Sequence, residues 1–168
     1  MYEDKQVTAA PLQQLTFSLA GEEYGVDILA VREIRSWSRV TRIPQTPDYV
    51  LGVLNLRGAI VPVMDLRLRF GLQRESYGDD TVMIVVAIGE RLFGIVVDAV
   101  SDVVDIDPAT IKPVPDMGAV VDTRYLKGLV THVDRMVMLL DVEKLMRPED
   151  VETLEAALPA IQKVEVVA

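Results

Sequence analysis

The sequence contains no cysteine and a single histidine, His132. The first absence excludes disulfide frameworks, thiol nucleophiles, thiolate zinc sites and iron–sulfur clusters. The second leaves little from which to build metal ligation or imidazole acid–base chemistry. Aromatic residues make up only 5% of the chain. Its longest apolar run, Val82 to Ile88, falls far short of the ~18 residues a membrane-spanning helix needs. Met1-Tyr2-Glu3-Asp4-Lys5 has neither a basic nor an apolar leader region, so a soluble cytoplasmic protein without membrane insertion is expected. Signatures of chemistry are missing as well. Gly21 and Gly25 lack the third glycine and the helix of a dinucleotide loop, and no Gly-x-Ser-x-Gly occurs. Asp98, Asp102, Asp105 and Asp107 lack the glycine and closing glutamate of a calcium loop. Neither a catalytic residue nor a cofactor is expected.

What is present points to strands. The 168 residues suit one mid-sized domain or two small ones, and half of them are apolar, weighted toward valine and isoleucine. The net charge of −9 is unevenly spread. Between Arg32 and Arg74 lie eight arginines against Glu33, Asp48 and Asp65, a local +5 that leaves −14 for the rest. With Trp37 between Arg35 and Arg39, this segment allows a nucleic-acid-binding small barrel as an alternative function, although sparse aromatics and the acidic remainder oppose it.

The chain also repeats itself. Gly21-Glu22-Glu23-Tyr24-Gly25-Val26 returns as Gly89-Glu90-Arg91-Leu92-Phe93-Gly94-Ile95, and Ala30-Val31-Arg32-Glu33-Ile34 as Ala99-Val100-Ser101-Asp102-Val103. Tyr49-x-x-Gly52 is matched by Tyr125-x-x-Gly128, and Ile60 to Leu66 by Met136 to Val142. Matches in one order imply two copies of one unit, residues 13–75 and 79–147, joined near Gln73 to Asp80. Within each copy the pattern predicts about five short strands. A hairpin turns at Ala20 to Glu23, and one-turn helices are expected at Thr46 to Leu51, Asp107 to Thr110, Asp65 to Phe70 and Asp141 to Met146. Without a long helix to cover a flat sheet, each set of strands is expected to close into a small barrel. Residues 1–12 read as loose, 148–158 as an amphipathic C-terminal helix and 159–168 as a tail.

One turn distinguishes the copies. Gly52-Val53-Leu54-Asn55-Leu56-Arg57-Gly58 has two glycines that permit sharp turning and throws Arg57 outward, whereas the second copy has Thr131 to Arg135 there. A turn that differs on a duplicated scaffold points to function. An ordinary hairpin with an exposed arginine is the alternative.

At these residues the sequence resembles the CheW family of chemotaxis coupling proteins. The likeness is carried by Glu23 to Ile28, Val31 to Ile34, Val40 to Pro44, Gly52 to Asp65, Gly94 to Asp98 and Val100 to Val103, and extends over residues 13–158. It implies a mainly β fold of two intertwined five-stranded SH3-like barrels around a shared core. It also implies a non-enzymatic adaptor joining the cytoplasmic tip of a chemoreceptor to the regulatory domain of the histidine kinase CheA. Such an adaptor works in membrane-associated arrays, in rings with other CheW-like domains. Carried over, the receptor-binding residues are Val31, Glu33, Ile34, Arg57, Gly58, Val82 and Val103, with Gly52, Asn55 and Leu56 in the coupling turn. The kinase-binding residues are placed at Ile28, Val40, Ile43 and Leu51.

Overall fold

Two five-stranded sheets are built from a chain whose short β-rich segments are separated by turns. The computed structural model describes residues 11–73, 75–115 and 123–146. The expected helix at 148–158, the tail at 159–168 and residues 1–10 of the N-terminal segment lie outside the described residues. Leu12 already belongs to the first strand.

The first copy supplies β1 (Leu12–Leu19), β2 (Glu22–Asp27), β3 (Val31–Ser36), β4 (Val50–Leu56) and β5 (Ala59–Asp65), followed by the single turn of α1 (Leu66–Arg69). The second supplies β6 (Val82–Ile88), β7 (Arg91–Val97), β8 (Ala99–Ile106), β9 (Leu126–His132) and β10 (Arg135–Leu140). The hairpin expected at Ala20 to Glu23 is present: Ala20 and Gly21 both have positive φ, 52° and 83°, which matches the right-handed twist of the strands they join. Asp65 caps α1 by accepting from Arg67 N at 2.9 Å, and Asp107 caps a 3-10 turn at Pro108–Thr110 in the same manner. The helix expected at Thr46 to Leu51 is instead a single turn closed by Val50 N to Pro47 O at 3.0 Å, because Val50 is already paired with Met64 as the first residue of β4. Tertiary pairing overrides the local helix signal there.

The sheets do not follow the copies. Their strand orders are β8-β1-β2-β10-β9 and β3-β6-β7-β5-β4. Advancing every strand of the second order by five positions, cyclically through the ten, reproduces the first, so each sheet combines the first hairpin of one copy with the last three strands of the other. The registers agree residue by residue. Leu15 lies opposite Val103 as Ile84 lies opposite Ile34, and the bulges at Thr16/Phe17 and Val31/Glu33 fall at equivalent places.

Each sheet closes on itself. The segment leaving edge strand β3 returns at Thr41 to bridge Val53 of the opposite edge, with Thr41 N to Val53 O at 2.9 Å and Val53 N to Thr41 O at 2.7 Å. Lys112 and Leu129 form the counterpart bridge. Closure removes unpaired edge and explains two glycines at once. A Cβ on Gly52 would lie 2.7 Å from the Thr41 carbonyl carbon and closer still to its oxygen, at a φ of 152°. One on Gly128 would lie 2.7 Å from Ile111 Cγ2 and 2.8 Å from the Lys112 carbonyl oxygen. Gly52, expected in the coupling turn, therefore sits inside β4 at the closure point, away from the reversal at Arg57 and Gly58.

The main core fills the space shared by the two sheets. Leu15, Phe17, Tyr24 and Val26 from one pack with Ile84, Val86, Ile95 and Val97 from the other. The uninterrupted run of β6 is buried because β3 and β7 flank it and apolar side chains cover both its faces, as in Ile84 toward the main core and Met83 toward Val63 and Val96.

Candidate functional site

The Asn55-Leu56-Arg57-Gly58 turn is assembled by a separate task for each residue. Leu56 is buried with Val61 and Val85, which anchors the turn over β6. Asn55 Oδ1 accepts from Gly58 N at 2.9 Å and fixes the reversal. Arg57 and Gly58 take φ of 53° and 90°, the two-residue hairpin geometry that glycine accommodates without strain. Because Val85 lies opposite Glu33 in the β3–β6 ladder, anchoring Leu56 there brings Arg57 beside Glu33.

The result is a charge cluster on β3. Arg57 Nη2 donates to Glu33 Oε1 at 2.8 Å, and Arg35 Nη1 donates to Glu33 Oε2 at 3.0 Å. The Arg57 hydrogen bond, working against desolvation and joined by Arg35, holds the Glu33 carboxyl below the usual carboxylate range. Arg57 keeps 75% of its side chain exposed, so the pair is open to water and to any partner. Ile34, the residue between Glu33 and Arg35, exposes 47% of its surface on the opposite face of β3. Sequence reasoning found Glu33 and Arg57 but missed Arg35 as the second ligand of Glu33. The signal available was the strand period of two, which puts residues 33 and 35 on one face.

The remaining expected receptor residues are dispersed. Val31 and Val82 are half-buried and pack against the main core. Val82 lies opposite Ser36 at the far end of the β3–β6 ladder. Val103, 45% exposed, lies in the other sheet on β8, the strand that corresponds to β3. The four expected kinase residues likewise divide. Ile43 is buried in the main core and Ile28 packs against it, while Val40 and Leu51 join a separate cluster with Trp37, Leu54, Tyr77 and Met83. Leu29, in the 3-10 turn Ile28–Ala30, and Val133, at the β9–β10 turn, are the most exposed large apolar residues described, and neither was singled out from sequence.

The structure gives the nucleic-acid alternative no support. Trp37 packs on the Tyr77 ring with centroids 4.3 Å apart, Arg67 pairs with Asp98 at 2.6 Å, Arg69 is buried, and Arg35 and Arg57 are taken by Glu33. The Trp37 ring is thereby covered, and an arginine already paired with a carboxylate gains less from a phosphate. Among the described residues no helix is long and apolar enough to cross a membrane.

Comparisons with known proteins agree on one family. The model of the CheW-like domain matches residues 13–150. The chain is 48% identical over 141 residues to the chemotaxis protein CheW of Klebsiella aerogenes, covering 84% of this chain and 85% of that one. It is 37% identical over 139 residues to the chemotaxis protein CheW of Helicobacter pylori, covering 82% and 83%. The crystal structure of the scaffolding protein TtCheW from Thermoanaerobacter tengcongensis superposes with a TM-score of 0.76 at 37% identity, covering 83% of this chain and 90% of that one.

Proposed function

The chain belongs to the CheW-like domain family, and on that premise we propose that it is a non-enzymatic adaptor coupling the cytoplasmic tip of chemoreceptors to the regulatory domain of the histidine kinase CheA. In this reading it is recruited from the cytoplasm to membrane-associated receptor arrays and meets other CheW-like domains in rings. The observation that carries the reading is the Arg57–Glu33 pair: the equivalent turn of the second copy has the same two positive-φ residues but carries Val133 and Asp134 in place of Arg57 and Gly58. The scaffold is duplicated down to its bulges, so a feature present once marks a surface meant for one partner.

The receptor side is formed along edge strand β3, with Glu33, Arg57 and Gly58 on one face and the exposed Ile34 on the other, Val31 and Val82 packed against the main core, and Val103 on the corresponding strand of the other sheet. An amphipathic receptor helix lying along this edge strand meets both faces, with apolar contact on Ile34 and polar contact at the charge cluster. Asn55 and Leu56 hold the turn in place. On the kinase side, Val40 and Leu51 offer half-buried apolar surface, while Ile28 and Ile43 belong to the main core. Reconstitution tests this function: the chain mixed with receptor signalling fragments and CheA is expected to raise kinase phosphorylation well above that of kinase and receptor alone. No change on adding the chain contradicts it.

A further inference from the structure

The reciprocal sheets raise the question of what keeps both copies of one molecule together. Four of the eight strand pairings, β1–β8, β2–β10, β3–β6 and β5–β7, join one copy to the other. Every turn within a copy stays within it, and one connector, between α1 and β6, links the two. None of the four pairings requires that its strands come from the same molecule.

The connector is held by a specific latch. The Tyr77 ring packs on Trp37, and its hydroxyl donates to Asp65 Oδ2 at 2.6 Å. Gly78 N donates to Thr81 Oγ1 at 2.8 Å, and Trp37 N donates to the Thr81 carbonyl at 3.1 Å. Trp37 and Asp65 both belong to the first copy. Fixed on them, the connector turns the chain back so that β6 begins beside its own β3, with Ser36 opposite Val82.

We propose that this chain exchanges whole copies with a second molecule of itself, forming a swapped dimer in which each lobe combines the first copy of one chain with the second copy of the other, and that the Tyr77 latch holds the exchange within a single chain. Each lobe of the dimer keeps all eight pairings and both closure bridges, so the two forms differ only at the connector. The choice between them is one of effective concentration, about millimolar for a short tether, and a latch that aims the tether raises it.

Three experiments on four variants test the proposal, each protein unfolded in denaturant and refolded at about 1 mM, where tethered and intermolecular pairing compete. Chain mass is then measured by light scattering after size-exclusion chromatography. Deleting Glu75 to Gly78 is expected to give predominantly dimer, and Tyr77→Ala to raise the dimer fraction several-fold over the unaltered chain. The third test co-refolds Gly52→Asp with Gly128→Asp. Each change blocks closure of one sheet, but a swapped dimer of the two has one lobe carrying neither. Folded protein is expected from the mixture and from neither variant alone. The proposal is overturned if the shortened chain is a folded monomer, or if the glycine pair yields no more folded protein together than apart. An unchanged dimer fraction in Tyr77→Ala overturns the latch. If the shortened chain aggregates, the glycine pair decides.

Discussion

Arg69 donates from Nε to the backbone carbonyl of Leu145, the residue that holds in the second copy the place Arg69 holds in the first, each four residues beyond an aspartate that ends its strand segment, Asp65 or Asp141. Its guanidinium lies over two rings, Tyr49 at 4.4 Å and Tyr125 at 4.7 Å, which are themselves counterparts. The carbonyls of those tyrosines accept from Asp65 N and Asp141 N, each at 2.8 Å. One buried cation therefore joins the approaches to β4 and β9 where the duplicated units meet, and the duplication is broken there by chemistry: a planar cation in one copy, leucine in the other.

Arg69→Ala is expected to lower stability by roughly 3–5 kcal/mol, combining about 2 for a desolvated cation–π contact with about 1.5–3 for a charged hydrogen bond. Arg69→Lys keeps the charge but loses the flat face that covers both rings, so an intermediate loss is expected. Denaturant titration checks the order; an Ala variant as stable as the parent contradicts it.

Gly52→Ala is expected to cost about 3 kcal/mol or more, since overpacking against backbone adds to strain at its φ. Gly58→Ala, whose Cβ would meet nothing within 4 Å, is expected to cost about 1 kcal/mol from its left-handed conformation alone. Thermal melting of the two variants separates a glycine needed for space from one needed for its dihedral angle. Gly52→Asp should consequently lose folding and all binding together.

Alkali should find Tyr24. Burial, reinforced by the Glu22 carboxylate, pushes its hydroxyl from 10.0 up to about 12. The folded state then keeps a proton that the unfolded state releases, so the contribution is fully present below pH 10 and is lost as pH climbs toward 12. Tyr24→Phe is expected to flatten the fall in urea midpoint across that interval relative to the parent. Parallel curves for both proteins would contradict it.

Most of the strand inventory was legible because alternation, turn glycines and the repeat are local signals. The hairpin at Ala20-Gly21 and the cap at Asp65 could be read directly. The strand exchange could not, since pairing β1 with β8 rather than β3 is decided by the shared core and leaves no trace in either segment alone. Gly52 was misplaced for the same reason: its crowding comes from Thr41, eleven residues away and brought near only by closure. Within the site, Arg57 stood out on a turn whose residues the second copy does not repeat, and Glu33, matched there by Asp102, came with the family resemblance, while burial of Ile43 and the engagement of Trp37 by Tyr77 depend on contacts that composition does not carry.

Arg57→Glu places two carboxylates together where an ion pair stood. The pair is exposed, so folding should be nearly unaffected. Loss of a charged contact at an interface typically costs ~2–5 kcal/mol, so affinity for receptor tip fragments is expected to fall by well over tenfold. Binding to the isolated regulatory domain of CheA should change far less. Equal loss toward both partners, with unchanged melting, would mean that one surface serves both.

The account turns on simultaneous engagement of two partners. The direct measurement is a calorimetric titration of receptor tip fragment into the chain, free and again after saturation with the CheA regulatory domain. An affinity for the receptor that saturation leaves the same or strengthens is the expected result, with a ternary complex recovered from the cell. Loss of receptor binding on saturation would show competition for one site and would contradict an adaptor that bridges.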